Sequence, residues 1–187
     1  MNGKDLLNAK IFGYKTYDEA KEKFEWAQAW ELFDGNKKIF NITHECIDRH
    51  PAAETAVRIK FEDGHVEEYS FGIISSLSAR FANALESRGI DFGDRVAIML
   101  NPSLEFYVTL FGALRRGAIV VPCFPLFGPD ALKQRLEDSG AKLLVTNREK
   151  MDLVHKTWTG EIITTGSQLN ELLEKDVDEV VDIDDYE

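Results

Sequence analysis

The stretch that decides the fold runs from Gly117 to Thr146 and has the sequence GAIVVPCFPLFGPDALKQRLEDSGAKLLVT. It begins with the apolar run AIVVP, passes through a loop rich in proline and phenylalanine, and ends with a second apolar run, KLLVT. Between the loop and the second run, residues 130–139 have the spacing of an amphipathic helix, which Gly140 ends. A strand, a crossover helix and a second strand in this order indicate a parallel sheet.

The same alternation extends on both sides of this unit. Upstream, RVAIML at 95–100 is a continuous apolar run, as in a parallel strand buried on both faces, and a helix is predicted over 103–116. Downstream, the pattern predicts a short helix near 148–155, a strand at 161–165 and a helical segment at 168–174. We therefore predict an α/β fold, with a doubly wound and mostly parallel sheet.

A capping box opens the N-terminal part of the chain. Thr16 precedes Glu19 by three residues, and apolar residues then follow at helical spacing, which predicts a helix over 17–33. Its four aromatic side chains are predicted to be core or packing residues: Phe24, Trp26, Trp30 and Phe33. A shorter helix over 42–49 is predicted to end before Pro51, because the residue before a proline disfavours helix.

An antiparallel hairpin is predicted after this short helix. The sequence alternates around Asp63-Gly64, a strong local signal for a hairpin turn, with strands over 55–61 and 65–69. Ser70 then caps a helix with one apolar stripe. The expected fold thus combines the parallel sheet with a β-hairpin and an N-terminal helical leader.

Length and composition limit the class of protein. The 187 residues are 44% hydrophobic and 29% charged, as in an ordinary globular domain with a substantial core. The formal net charge is −11, but residues 171–187 contain nine acids and one lysine, so the rest is near neutral and has no basic footprint for nucleic acid. We predict a helical leader at 1–40, a first α/β subdomain at 41–170 and an acidic linker at 171–187.

The sequence also bears on the cellular setting. No apolar run approaches the ~20 residues of a membrane helix, and the N-terminus lacks the apolar core of a signal peptide. The two cysteines lie far apart and suggest no disulfide framework. These features predict a cytoplasmic protein that binds neither membrane nor nucleic acid.

Several familiar catalytic motifs do not occur in the sequence. No GxGxxG follows RVAIML, and neither GxxxxGK[ST] nor GxSxG is present. The first strand of the parallel sheet ends in Asn101 and not in an acid, which argues against a phospho-accepting receiver domain. The histidines and cysteines do not cluster at metal-ligand spacing, and we attribute the proximity of His44 and Cys46 to chance. The sequence therefore predicts no catalytic residue and no metal site.

The loop from Pro122 to Gly128 is the best candidate for contact with a ligand. Ligands of such sheets bind outside the carboxyl ends of the strands, where this loop begins. Its prolines stiffen the turn, and Gly128 would permit close approach of the backbone. The alternative is that Phe124, Leu126 and Phe127 merely pack under a neighbouring element.

Two longer segments carry a family resemblance. FNITHECIDRHP at 40–51 and the stretch at 81–146, with GDRVAI, ALRRGA and RLEDSGAKLLVT in this order, resemble the N-terminal part of acyl-CoA synthetases. These enzymes belong to the adenylate-forming, AMP-binding superfamily. The ECIDRHP segment and the tryptophan-containing leader at 16–33 look most like the acetyl-CoA and medium-chain acyl-CoA synthetase branch. The resemblance extends over roughly residues 16–165.

The resemblance implies a two-step reaction in the complete enzyme. A carboxylate attacks ATP to give an acyl-adenylate and pyrophosphate, and the thiolate of coenzyme A (CoA) then displaces AMP, with Mg²⁺ supporting the first step. The Ser/Thr/Gly-rich phosphate loop of the family is absent from this sequence. The chain thus looks like part of the N-terminal domain that stops before the catalytic motifs. It is expected to be inactive, to bind no ATP, CoA or Mg²⁺ by itself, and to self-associate.

The resemblance also implies site residues. Gly128 and Phe127 would line the CoA channel, and Arg148 and Lys150 are the nearest basic residues to meet the CoA phosphates. The segment TNREK departs from the Gly-rich version of the family, so solvated surface charge is the alternative for these two. Other hypotheses are a fragment of an aryl-CoA ligase or of a peptide-synthetase adenylation domain, or a stand-alone interaction module. The sequence does not identify the small carboxylic acid.

Overall fold

The computed structural model describes residues 13–175 of the chain. The helices are α1 (Tyr17–Lys23), α2 (Trp26–Ala29), α3 (Phe71–Glu86), α4 (Leu104–Arg115), α5 (Pro129–Ser139), α6 (Met151–Thr157) and α7 (Ser167–Lys175). The strands are β1 (Thr55–Lys60), β2 (Val66–Ser70), β3 (Arg95–Met99), β4 (Ile119–Pro122), β5 (Leu143–Thr146) and β6 (Glu161–Thr164). Short 3₁₀ turns cover Trp30–Leu32 and Arg148–Lys150, and a π-helical turn covers His44–Asp48.

The four strands β3 to β6 form one parallel sheet. Their order is β4-β3-β5-β6, so the chain runs outward to one edge and then crosses back over β3. All three pairings are parallel, with Val96 opposite Val120 on one side and Leu143 on the other. The predicted parallel sheet is confirmed.

Side chains of the sheet alternate between two cores. Val96 and Ile98 pack towards α3, α4 and α7, whereas Ala97 and Met99 pack towards α5 and α6. All four are essentially inaccessible to solvent. Helices thus cover both faces of the sheet, which confirms the doubly wound fold class and explains why RVAIM is apolar without interruption.

Strand β4 lies at the edge of this sheet. The N–H groups of Ile119 and Cys123 donate to the carbonyls of Asp94 and Ile98, so alternate residues of β4 direct their backbone towards β3. Pro122 is one of the intervening residues, whose backbone faces the free edge, and a proline has no N–H to donate there. A proline at this place disfavours the addition of a further strand.

Helices α3 and α4 approach each other closely at Gly112. A Cβ atom on Gly112 would lie 2.8 Å from the carbonyl oxygen of Ser78 and 2.8 Å from Cδ1 of Phe81. Phe81 is fully buried at this crossing. The lack of a side chain at Gly112 therefore permits the two helices to pack against the same face of the sheet.

The predicted hairpin is confirmed. Strands β1 and β2 are antiparallel and join through a turn in which Gly64 has φ +88°. Val57 and Ile59 of β1 pack with Ile74 of α3 and Ile47 of the π-helical turn in a third, smaller core. The predicted helix over 42–49 is present, although most of it is wound as a π-helix.

The prediction of one continuous helix over 17–33 is wrong. Helix α1 ends at Lys23, because Phe24 and Glu25 have extended backbones. Glu25 then starts α2 in a capping box with Gln28. Of the four aromatic residues predicted to be core or packing residues, none is in the core. Phe24, Trp26 and Phe33 are exposed and Trp30 is half-buried, although each of the four packs against another ring edge to face.

The predicted boundary at residue 170 falls inside α7. Leu169 is fully buried, and Leu172 and Leu173 pack against the core between the sheet and α3. The first residues of the predicted linker at 171–187 thus belong to this helix, and residues 176–187 lie outside the described part. Within residues 13–175, no helix has both the length and the apolar character needed to cross a membrane.

Candidate functional site

The candidate site lies where the parallel strands end. Four segments follow strands at this edge of the sheet: 100–103 after β3, 123–128 after β4, 147–150 after β5 and 165–166 after β6. The buried Thr146 joins the ends of two neighbouring strands, because its hydroxyl donates to the carbonyl of Met99 at 3.2 Å. The loops are therefore held on a rigid base.

The loop after β4 presents apolar side chains to solvent. Phe124 is 59% exposed and Leu126 78% exposed, whereas Phe127 is half-buried and packs against the core under α5. A turn closed by the Phe127 N–H on the Phe124 carbonyl, at 3.0 Å, holds this shape. Phe127 thus packs against the core, whereas Phe124 and Leu126 are exposed.

Gly128 starts helix α5 and does not need to be glycine for its backbone. Its φ is −73°, which any residue adopts, and a Cβ atom there would meet nothing within 4 Å. Pro129 at the first position of the helix costs no hydrogen bond. Close approach of the backbone at Gly128 therefore has no partner among the described residues, and open space lies in front of it.

A groove of about 490 Å³ runs beside the edge of the sheet, between β4 and α5. It is lined by Val121, Phe127, Ala131, Gln134, Arg135, Asp138 and Ser139. The guanidinium of Arg135 lies 5.6 Å from the centre of the Phe127 ring, as in a cation–π pair. Arg135 is not among the site residues expected from the sequence, although its spacing of four from Ala131 places both on one side of the helix.

The predicted basic residues lie on the same edge of the sheet but not in this groove. Arg148 is exposed and donates to the hydroxyl of Ser167 at 2.7 Å, at the start of α7. Lys150 is half-buried, and its N–H donates to the side chain of Asn147 at 3.2 Å. The structure therefore places Arg148 with the β6–α7 connection and Phe127 with α5.

The thiol of Cys123 lies at the start of the loop. Burial raises the pKa of the Cys123 thiol, and the positive charge of Arg135 offsets this only in part. A buried protonated thiol is a poor nucleophile. No group of His, Cys, Asp and Glu side chains within residues 13–175 could hold a metal ion. The edge therefore offers exposed apolar side chains and the exposed guanidinium of Arg135 as contacts for a ligand.

The strongest polar clusters lie elsewhere, around the π-helical turn. Arg115 is buried and pairs with Asp48 at 2.6 Å, and the hydroxyl of Ser75 donates to the same carboxylate at 2.5 Å. Buried Glu45 pairs with Arg49 four residues later. This second pair has a sequence signal, namely opposite charges at helical spacing in ECIDR.

Comparison with known proteins defines the class. The family model of the AMP-binding enzymes matches residues 44–185, more than half of the chain. The chain therefore belongs to the AMP-binding enzyme family. This agrees with the family resemblance of the sequence and with the doubly wound sheet.

Individual members of the family are similar to most of this chain. The chain is 35% identical over 145 residues to an acetyl-coenzyme A synthetase of Bacillus subtilis (strain 168), covering 75% of this chain and 25% of the relative. The structure of an acyl-CoA synthetase from Brucella canis has a TM-score of 0.82 at 32% identity, covering 89% of this chain and 33% of that one. An anthranilate CoA ligase, AuaEII, has a TM-score of 0.64 at 24% identity over 74% of this chain and 28% of that one, which supports the fold alone. The chain spans about a quarter of the length of the curated relative.

Proposed function

We propose that this chain forms the first α/β subdomain of an ATP-dependent acyl-CoA synthetase. Such an enzyme converts a small carboxylic acid, ATP and CoA into acyl-CoA, AMP and pyrophosphate. The observation that carries the proposal is the 35% identity to an acetyl-coenzyme A synthetase over 145 residues. Anthranilate and benzoate CoA ligases match at only 24% and 20% identity, so the aryl-CoA alternative has less support.

Within that enzyme, we assign the loop from Pro122 to Gly128 to the channel for CoA. Three features support this assignment: the position after β4, the exposed side chains of Phe124 and Leu126, and the open space in front of Gly128. Arg148, an exposed cation on the same edge, is the candidate contact for a CoA phosphate. The apolar loop residues would exclude water around the pantetheine arm of CoA, and the guanidinium of Arg148 would bind a phosphate group at its other end.

The described residues do not fit Mg²⁺, because they contain no cluster of metal-ligating side chains. The sequence also lacks the phosphate loop that would hold ATP. We therefore propose that the chain binds neither and does not form the acyl-adenylate by itself. Its contribution is a rigid wall of the CoA channel.

The first experiment measures ATP–pyrophosphate exchange by the purified 187-residue chain with acetate and other short carboxylic acids. The acetyl-coenzyme A synthetase of Bacillus subtilis serves as the positive control. We expect no exchange above the enzyme-free background. Exchange that increases with the concentration of the chain would contradict the proposal.

The second experiment tests the channel with Gly128→Leu in a longer protein that joins this segment to the phosphate loop of the family. A bulky side chain in the open space should leave pyrophosphate exchange intact, reduce thioester formation and raise the KM for CoA. Gly128→Ser is the matched control, because serine fits the N-cap position and projects little. Equal loss of both half-reactions in the leucine variant would remove this loop from the channel.

We also propose that the chain self-associates and that it functions in the cytoplasm. Ile119 of the edge strand is more than half exposed, as are Phe124 and Leu126 of the loop, and apolar patches of this kind promote association. Pro122 disfavours pairing through the strand edge, so side chains would provide the contact. Light scattering should show dimers or larger species, and a clean monomer at all concentrations would contradict the proposal.

A further inference from the structure

The leader segment, residues 13–42, is attached to the rest of the chain without a fully buried apolar side chain. Trp30 and Leu32 are half-buried, and along the described part of the chain Thr43 is the first residue that is buried. Helices α1 and α2 bury no residue either. Burial of apolar side chains is the usual source of stability for a docked helix, so other contacts must hold this segment in place.

Those contacts centre on the carboxylate of Glu45, whose side chain is only 3% exposed. It accepts hydrogen bonds from the backbone N–H groups of Asp34 at 3.2 Å and Gly35 at 2.7 Å. It also pairs with Arg49, which in turn donates to the carbonyl of Leu32 at 2.9 Å. One buried ion pair thus binds three backbone groups within residues 32–35 of the leader.

The side chain of Asp34 adds the second half of this attachment. Its two oxygens lie 3.1 Å from Nε2 of His44 and 3.1 Å from Nη2 of Arg49. The hydrogen bond from His44 is the main reason that the pKa of Asp34 is lowered. We refer to Asp34, His44, Glu45 and Arg49 together as the clamp.

The base of the clamp is fixed to the α/β part. The hydroxyl of Thr43 donates to the carbonyl of Phe111 at 2.7 Å, and Asp48 pairs with buried Arg115 at 2.6 Å. Ile47 packs in the core beneath β1. The π-helical turn therefore holds the α/β part with one set of side chains and the leader with another.

The aromatic cluster of the leader is internal to it. Trp30, Phe33 and Phe40 contact one another edge to face, with ring centres 5.2–5.8 Å apart. Phe33 and Phe40 remain more than a third exposed. These ring contacts join different parts of the leader to one another.

From this geometry we propose that the leader is a detachable strap, which the clamp holds on a body that stays folded without it. The strap releases as one unit, since its aromatic cluster moves with it. Besides the clamp, the amide of Asn41 at the end of the leader donates to the carbonyl of Arg115 at 3.2 Å, and this bond lies at the point where the strap would hinge. Release uncovers the buried carboxylate of Glu45 and the guanidinium of Arg49. The fold therefore has two states that differ in the position of this segment and not in the sheet.

Hydrogen exchange measured by mass spectrometry on the whole 187-residue chain tests the strap. In the wild type, amides of residues 26–42 should exchange faster than those of β3 and β5, because they open without global unfolding. Asp34→Asn removes only the leader side of the clamp, where the side chain is 49% exposed. We expect it to speed exchange in residues 26–42 by about threefold to fivefold, as for a partly exposed ion pair.

Glu45→Gln removes the buried carboxylate and should speed the same amides by more than about tenfold. The matched control is Glu19→Gln, because Glu19 bonds to Lys15 and Lys23 inside the leader and not to the clamp. Protection of β3 should stay unchanged in Asp34→Asn. Equal exchange rates for leader and sheet in the wild type, or an effect of Asp34→Asn no larger than that of Glu19→Gln, would overturn the proposal.

Discussion

The close approach of α3 and α4 can be tested by adding one methyl group. In Gly112→Ala the new Cβ would lie 2.8 Å from the Ser78 carbonyl oxygen, 2.8 Å from Phe81 Cδ1 and 2.9 Å from Phe81 Cβ. Carbon atoms normally pack at roughly 3.5–4.0 Å. Two of the three atoms belong to the backbone or lie next to it, so a rotamer change does not relieve the overlap and the helices must separate.

The expected cost follows from two opposing effects. Overpacking a core costs roughly 1–3 kcal/mol, and contacts with atoms that cannot rotate away place this site in the upper half of that range. Alanine in a helix interior is favoured over glycine by about 1 kcal/mol, which offsets part of the cost. We expect the free energy of unfolding to fall by about 1–2 kcal/mol.

Urea denaturation of the purified chain, followed by far-ultraviolet circular dichroism, provides the measurement. With a slope of about 2 kcal/mol per M, the midpoint should fall by roughly 0.5–1 M. Gly128→Ser is the control, since it adds a side chain where nothing lies within 4 Å and where serine is a good N-cap. Its midpoint should equal or exceed that of the wild type. A midpoint for Gly112→Ala at or above the wild-type value would refute the close approach.

Three further predictions concern titratable groups. The bonds from Lys142 and from a backbone N–H hold the pKa of Asp94 below its usual value, so its contribution is present above the unfolded pKa and is lost as the pH falls through the lowered folded pKa. The stability difference between wild type and Asp94→Asn, measured by urea titration, should therefore be largest at neutral pH and shrink below about pH 4; a constant difference would count against the pair. A hydrogen bond to a neighbouring glutamate raises the pKa of Tyr69 to about 12, so absorbance titration should show a late tyrosine that is missing in Tyr69→Phe. Cys46 is exposed and Cys123 buried, so a thiol reagent should label one cysteine in the native chain and the other only after unfolding; equal labelling rates would contradict the burial of Cys123.

The α/β part could be predicted because its signals are local. Strands buried on both faces are apolar without a break, and the glycines that end the intervening helices stand out between them. Gly117 has φ +75° and Gly140 has φ +60°, a conformation that favours glycine. Predicted and observed bounds of these elements differ by a residue or two at each end, where caps decide the assignment.

The leader could not be predicted in the same way. Helical spacing of apolar residues indicates a face to be buried, but within residues 13–175 neither α1 nor α2 has a buried residue. Without tertiary packing, a helix of this length is only marginally stable. The chain therefore leaves the helix after Lys23, and the capping box at Glu25 starts a second one. The pattern therefore overestimated the length of the helix and the burial of Trp26.

The position of the loop from Pro122 to Gly128 in the fold could be predicted, but the contacts of its side chains could not. The position of a loop at the carboxyl end of a strand follows from chain order in any doubly wound sheet. Which residues it turns inward depends on contacts with α5, such as that between Phe127 and Arg135. Likewise, nothing in the sequence near Arg148 indicates Ser167 as its partner, since the two are far apart in the chain.

The strand order also has a consequence for synthesis of the chain. β3 is the first strand of the parallel sheet to be made, yet it lies inside the sheet. Thr146 of β5, which bonds to Met99 at the end of β3, comes 47 residues later in the chain. At about 5–20 residues per second, a ribosome needs roughly 2–10 s to make that distance. During this time β4 can already protect one edge of β3, while the other edge stays unpaired. The risk of mispairing at the central strand is thus determined by the rate of translation, and it ends when β5 leaves the ribosome.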